Sequence, residues 1–169
     1  QMLAVTIRDA NPFYDTAYSV NTANLGPWGD AITQELIPYI EKNFSVVAEP
    51  WARILAGGST GGWEAMAMQV FYPDYFGGTW PMCPDPLDSN YYQRVNIYKD
   101  DNAYFSDKGW YKVERPGSRS IDGNISYMMK DENLWEIAVG GLEALSLGQW
   151  AIWEAVYSPV GDDGYPKPI

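Results

Sequence analysis

One stretch restricts the fold of this chain more than any other: residues 52–70, ARILAGGSTGGWEAMAMQV. The apolar run Ile54-Leu55-Ala56 leads into Gly57-Gly58-Ser59-Thr60-Gly61. A helix-like pattern of Trp63, Met66, Ala67, Val70 and Phe71 follows without a gap. A chain passes from strand to helix this abruptly only if the residues around the apex are small, because a side chain there strikes the incoming helix. Ser59 is therefore expected in a cramped turn, its hydroxyl projecting above the sheet. The helix beginning under it turns its first amides and positive dipole end toward any oxyanion formed there, with the Thr60 N–H nearest. The plainer alternative is a glycine-rich turn that binds a phosphate or nothing. No lysine follows the glycines, which disfavours the phosphate loop.

Composition decides how far such a serine can be taken. A length of 169 residues with 46% hydrophobic content suits one folded domain with a core of its own. Eight Trp and 13 Tyr imply bulky core side chains or a site with aromatic walls. A net charge of −11 argues against nucleic acid or an anionic membrane surface as partner. The lone Cys83 excludes an intrachain disulfide. The strongest compositional fact is the absence of histidine. A serine hydroxyl is ordinarily deprotonated by an imidazole, so either the base lies outside these residues or Ser59 is not a nucleophile of that kind. The chain opens on Gln1 rather than Met, so preceding residues, and any leader for secretion or periplasmic export, are expected to be missing from this sequence.

Residues 2–9 (MLAVTIRD) alternate as a buried strand, with Leu3, Val5 and Ile7 on one face. Residues 10–29 form a loop whose Tyr14, Tyr18, Asn21, Asn24 and Trp28 are placed to line a site, or simply to pack a long surface loop; Asn24 and Trp28 are the substrate-loop candidates. Asp30 is expected to cap a helix running to about Asn43. Pro38 inside it should kink the helix or leave a carbonyl to bond elsewhere. Tyr72-Pro73 stops the helix after Ser59, and residues 76–83 read as the next strand, parallel to the one before Ser59. Asp85 leaves that strand on the serine's side and is a candidate acid, although an Asp between prolines is more often a turn former. From 89 to 126 the pattern breaks into short aromatic and charged pieces (Tyr98, Tyr104, Trp110, Tyr111), expected as an insertion rather than sheet. Residues 127–157 are helical in pattern, interrupted at Gly140-Gly141. Asp162-Asp163-Gly164 lacks the further ligands of a calcium loop and reads as a solvated turn.

The G-x-S-x-G pentad between a strand and a helix is the pattern of the α/β-hydrolase nucleophile elbow. Together with GDAITQELIPYIEKNF and the downstream YPDYFGG, it resembles the putative esterase family, the esterase D, feruloyl esterase and antigen-85-like branch, over about residues 1–90. The resemblance implies a partial α/β-hydrolase fold: a mostly parallel sheet with flanking helices, residues 1–88 as core and 89–169 as an insertion or cap within one incomplete domain. It implies a serine nucleophile at Ser59, an oxyanion amide at Thr60 and elbow glycines at Gly57, Gly58 and Gly61. Family members often carry a side chain where Gly58 stands. Carboxylic esters, of small molecules or linked to carbohydrate, are the implied substrates, with no metal or organic cofactor. The strands that carry the second oxyanion donor, the acid and the histidine are expected outside this sequence, leaving these residues alone inactive and poorly folded. Two other readings stand beside the esterase: a binding module that keeps the fold without the base, and an acyltransferase on the same scaffold.

Overall fold

A computed structural model describes residues 2–9, 16–88, 90, 94–107, 109–141 and 149–167. Their helices and strands form two compact units, Gln1–Asp85 with Gln149–Ile169, and Pro86–Gly148. The residues 149–169 that the sequence groups with an insertion thus cluster with the serine-bearing half. Tyr14 lies outside the described residues.

The first unit begins with residues 2–9, which join no ladder. Alternating apolar residues supply a strand with two faces but not with a partner, and here Met2, Leu3 and Val5 stay exposed. A short antiparallel ribbon follows, β1 (Asn21–Thr22) with β2 (Gly26–Pro27). The chain then runs through one interrupted helix: α1 (Trp28–Asp30), a π-helical turn over Ala31–Leu36, and α2 (Ile37–Asn43). Asp30 lies inside this helix rather than at its cap. The capping oxygen comes instead from Asn21, whose Oδ1 accepts the Asp30 N–H at 3.0 Å.

The π turn is the consequence of Pro38. The Ile37 N–H bonds the Ile32 carbonyl, five residues back. In that register the Thr33 carbonyl would be served by residue 38, which has no N–H to give. The Tyr75 hydroxyl donates to it instead, at 2.7 Å.

β3 (Ile54–Gly58) leads into α3 (Thr60–Phe71), and β4 (Gly78–Met82) returns parallel to β3, with Ile54 opposite Gly78 and Gly58 opposite Met82. α3 packs between two small cores. Trp63 and Ala67 join Tyr18, Val20, Ile152 and Val156; Met68 joins Ile32 and Phe76. Because α3 is covered on two sides, its buried set differs from the single face expected from the sequence: Met68 is buried, whereas Val70 and Phe71 are exposed. The β3–β4 face carrying Ile54, Trp80 and Met82 is exposed as well.

The second unit contains sheet where only insertion was expected. β5 (Phe105–Asp107) pairs with β6 (Lys112–Glu114), and β7 (Pro116–Arg119) pairs with β8 (Ile125–Met128), both antiparallel. Each ribbon turns through a glycine in the left-handed region, Gly109 (φ 84°) and Gly123 (φ 84°). α4 (Met129–Gly140) follows and closes at Gly141 (φ 79°). The unit is tied by Arg115, whose guanidinium donates to Asp100 Oδ2 at 2.7 Å and to the carbonyls of Phe105 and Arg94. α5 (Gln149–Tyr157) belongs to the first unit.

The architecture is thus mixed α/β with short sheets. Among the described residues, the mostly parallel sheet expected from the sequence is reduced to one parallel pair, β3–β4, and the other ladders are three short antiparallel ribbons. A parallel ladder is joined by pairing distant segments, and the candidate third strand, residues 2–9, docks without one.

Candidate active site

Ser59 sits between β3 and α3 with φ 54° and ψ −122°, a conformation that L-residues avoid. It is fixed from both neighbours. Its N–H donates to the Met82 carbonyl at 2.9 Å, and its own carbonyl accepts from the amides of Gly62 (2.9 Å), Trp63 (3.1 Å) and Asp85 (3.4 Å). Thr60 is the first residue of α3, where backbone amides point out of the helix end.

The glycines of the pentad are not equivalent. A Cβ on Gly57 would lie 2.0 Å from the Gly61 carbonyl oxygen and 2.9 Å from the Gly62 nitrogen. A Cβ on Gly58 would meet nothing nearer than the Met82 oxygen at 3.9 Å, and one on Gly61 nothing within 4 Å. Gly62, which the motif omits, is the second crowded position, with the Met82 oxygen 3.0 Å from its ideal Cβ. Close approach of α3 to β3 and β4 therefore rests on Gly57 and Gly62.

Asp85 reaches the serine directly. Ser59 Oγ donates to Asp85 Oδ1 at 3.4 Å, and Thr60 Oγ1 donates to Asp85 Oδ2 at 3.0 Å. In a Ser-His-acid triad the acid touches the imidazole rather than the serine, so this contact differs from the triad acid's.

The substrate-loop candidates Asn24 and Trp28 lie elsewhere. Asn24 Nδ2 donates to the carbonyls of Ala155 (3.0 Å) and Ser158 (2.7 Å), satisfying the last turn of α5. Trp28 bonds the Leu25 carbonyl and lines a groove of about 720 Å³ with Ile7, Ile32, Leu36 and Tyr39, whose walls include neither Ser59 nor Asp85.

Two features near Ser59 go beyond the sequence reading, which named Tyr18 and aromatic walls but not their partners. One is an aromatic cluster: the Trp63 ring stands 5.4 Å from those of Tyr18, Trp153 and Tyr157. Burial foremost, then Tyr18 and the Asp85 charge, hold the Tyr157 phenol above its ordinary range, so it stays protonated. The other is Glu64, one turn into α3. Burial, with the charge of Asp9 next and of Asp85 last, pushes its carboxyl up to about 7. A lone Glu early in a helix reads as a solvated dipole partner, so nothing in the spacing reveals this environment. Among the described residues no group of His, Cys, Asp and Glu is arranged to hold a metal ion, and no helix is long and apolar enough to cross a membrane.

The profile of the putative esterase family matches residues 7–126. The chain belongs to this family. The match runs past the 1–90 span of the quoted motifs and ends within β8, so it takes in part of both units. No curated protein matches the chain. Membership supports a hydrolase, ester hydrolysis and the α/β-hydrolase type of fold.

Proposed function

We propose that this esterase-family chain carries the nucleophile of a serine carboxylic-ester hydrolase. Ser59 Oγ attacks the ester carbonyl carbon, and its proton passes to a base. The negative oxygen of the tetrahedral adduct is held by the Thr60 N–H and the N-terminal end of α3. Collapse expels the alcohol, which takes back the proton, and leaves an acyl-Ser59. Water then attacks the acyl carbon and releases the acid. The observation that carries this reading is the Ser59 backbone at φ 54° and ψ −122° on a strand-to-helix junction, a strained conformation kept at the apex of the turn. With no histidine in the 169 residues, the imidazole base and its acid partner are contributed from outside them. The aromatic cluster beside Ser59, with Tyr157 45% exposed at its rim, favours a bulky or carbohydrate-linked ester.

The missing histidine and the direct Ser59–Asp85 contact favour a second reading, a binding module that keeps the fold and has lost the chemistry. Reaction of the full-length gene product with a fluorophosphonate probe separates the two. Labelling that disappears in Ser59→Ala is the expected result. A folded full-length protein that is not labelled overturns the esterase reading and leaves the binding module.

A further inference from the structure

Asp9 and Glu64 face the same two hydroxyls, and neither enters the chemistry proposed for Ser59. Thr16 Oγ1 lies 2.5 Å from Asp9 Oδ1 and 3.2 Å from Glu64 Oε1. Ser19 Oγ lies 3.4 Å from Asp9 Oδ2 and 3.4 Å from Glu64 Oε2. The Ser19 N–H adds a bond to Asp9 Oδ2 at 2.6 Å. A hydroxyl has one proton to donate. That of Thr16 goes to Asp9, the nearer acceptor, so its contact with Glu64 is a hydrogen bond only when Glu64 supplies the proton. An ionised Glu64 would keep at most the Ser19 hydroxyl as a donor, at 3.4 Å, would set lone pair against lone pair at Thr16, and would place a second negative charge beside an Asp9 that is only 3% exposed.

Among the described residues no cation is paired with either carboxyl. The ion pairs among the described residues are Arg53–Glu41 and Arg115–Asp100, and Arg8 lines the groove against Trp28 and Tyr39. Among the described residues, the charged groups facing Glu64 are Asp9 from the N-terminal segment and Asp85 from the loop after β4. From α5, the Tyr157 phenol faces Tyr18 and Asp85 and stays neutral.

We propose that Glu64 holds a proton in the weakly acid range and with it latches the Tyr18–Ser19 turn onto α3, a latch that opens as pH rises through neutrality. The turn needs such a hold. Tyr18 (φ 57°) and Ser19 (φ 56°) are consecutive non-glycine residues in the left-handed region, a conformation kept only where its surroundings over-determine it. Its holds include the carboxyl pair, the Thr16 hydroxyl that accepts the Tyr18 N–H at 3.1 Å, and the Tyr18 ring, packed 5.4 Å from Trp63 and 5.5 Å from Trp153. The burial and charge that push Glu64 up to about 7 put the opening in the physiological range. Because Tyr18 of that turn packs against Trp63 and Trp153, the latch governs the order of the aromatic cluster beside Ser59. It does so whether or not Ser59 is a nucleophile.

The test is a carbon NMR titration of the Glu64 carboxyl with amide hydrogen exchange at Ser19, from about pH 5 to 9. Glu64 should titrate near neutrality, and Ser19 protection, corrected for intrinsic exchange, should fall about tenfold across that midpoint, the factor of one lost hydrogen bond. Glu64→Gln keeps a proton on its amide and should remove the pH step. Thr16→Val lacks the shared hydroxyl and should lower Ser19 protection at every pH. The proposal is overturned by a Glu64 midpoint in the ordinary carboxylate range, by pH-independent protection in the wild type, or by a wild-type pH step in Glu64→Gln. If Glu64→Gln does not fold, the wild-type titration and Thr16→Val decide.

Discussion

Alanine at each glycine of the pentad should produce very different results from one chemical change. At Gly57 the added methyl would lie 2.0 Å from the Gly61 oxygen and 2.3 Å from the Gly61 carbonyl carbon. Both are backbone atoms, so no rotamer change relieves the overlap. The first turn of α3 would have to retreat by more than an ångström, roughly the difference between 2.0 Å and an ordinary contact. The turn has nowhere to go. The Ser59 N–H is bonded to the Met82 carbonyl, and Gly62 is pressed against that same oxygen. Overpacking within side chains costs about 1–3 kcal/mol, so a clash confined to backbone should cost about 3 kcal/mol or more. At Gly58 the nearest atom is 3.9 Å away, and at Gly61 there is none within 4 Å. There the loss of unfolded-state freedom should dominate, stabilising by about 0.5–1 kcal/mol each. Urea unfolding followed by tryptophan fluorescence measures all three, with a shift of midpoint at constant slope as the readout. Gly57→Ala within about 0.5 kcal/mol of wild type would refute the close-approach argument. So would a Gly58→Ala as damaging as Gly57→Ala.

Ser59→Gly should raise stability by about 1 kcal/mol in a thermal melt, because glycine occupies φ 54° without strain, and should remove fluorophosphonate labelling; a less stable variant would show that the apex is not strained. Folding should depend on pH through Glu64. Between the ordinary 4.5 and about 7 the folded chain holds a proton that the unfolded chain has released, so its stabilising contribution is full below 4.5 and is lost as pH rises through about 7. That displacement corresponds to roughly 3 kcal/mol, which partial exposure reduces to about 1–2 kcal/mol. Urea midpoints measured across this range should lose that slope in Glu64→Gln, and an unchanged slope would contradict the assignment. Tyr75→Phe should cost about 1–2 kcal/mol by orphaning the Thr33 carbonyl. The cost should shrink in a Pro38→Ala background, where residue 38 regains its N–H; strictly additive losses in the double-mutant cycle would refute that link.

What the sequence reveals about this chain divides by the range over which each cause acts. The strand, turn and helix around Ser59 are legible because a steric demand among adjacent residues fixes them, and only glycine meets that demand at residue 57. The halt of α3 before Tyr72 and the break at Gly140-Gly141 are local in the same way. So is half of the Pro38 argument. A proline in a helix predicts a carbonyl in need of a donor, but that Tyr75 supplies it depends on a contact 42 residues away. Ladder partners are non-local from the start, which is why residues 2–9 read as a strand and join none. Asp122-Gly123 carried a readable hairpin signal for β7–β8, but the polar, short strands on either side gave no alternation to join to it. Glu64 is the extreme case. Its ordinary place on α3 predicts a solvated anion, and its protonation arises only because Asp9, Thr16 and Ser19 are folded against it from up to 55 residues before it in the chain. A motif therefore finds the serine. The groups that set the pH at which its surroundings hold together belong to no motif, because they are assembled by packing.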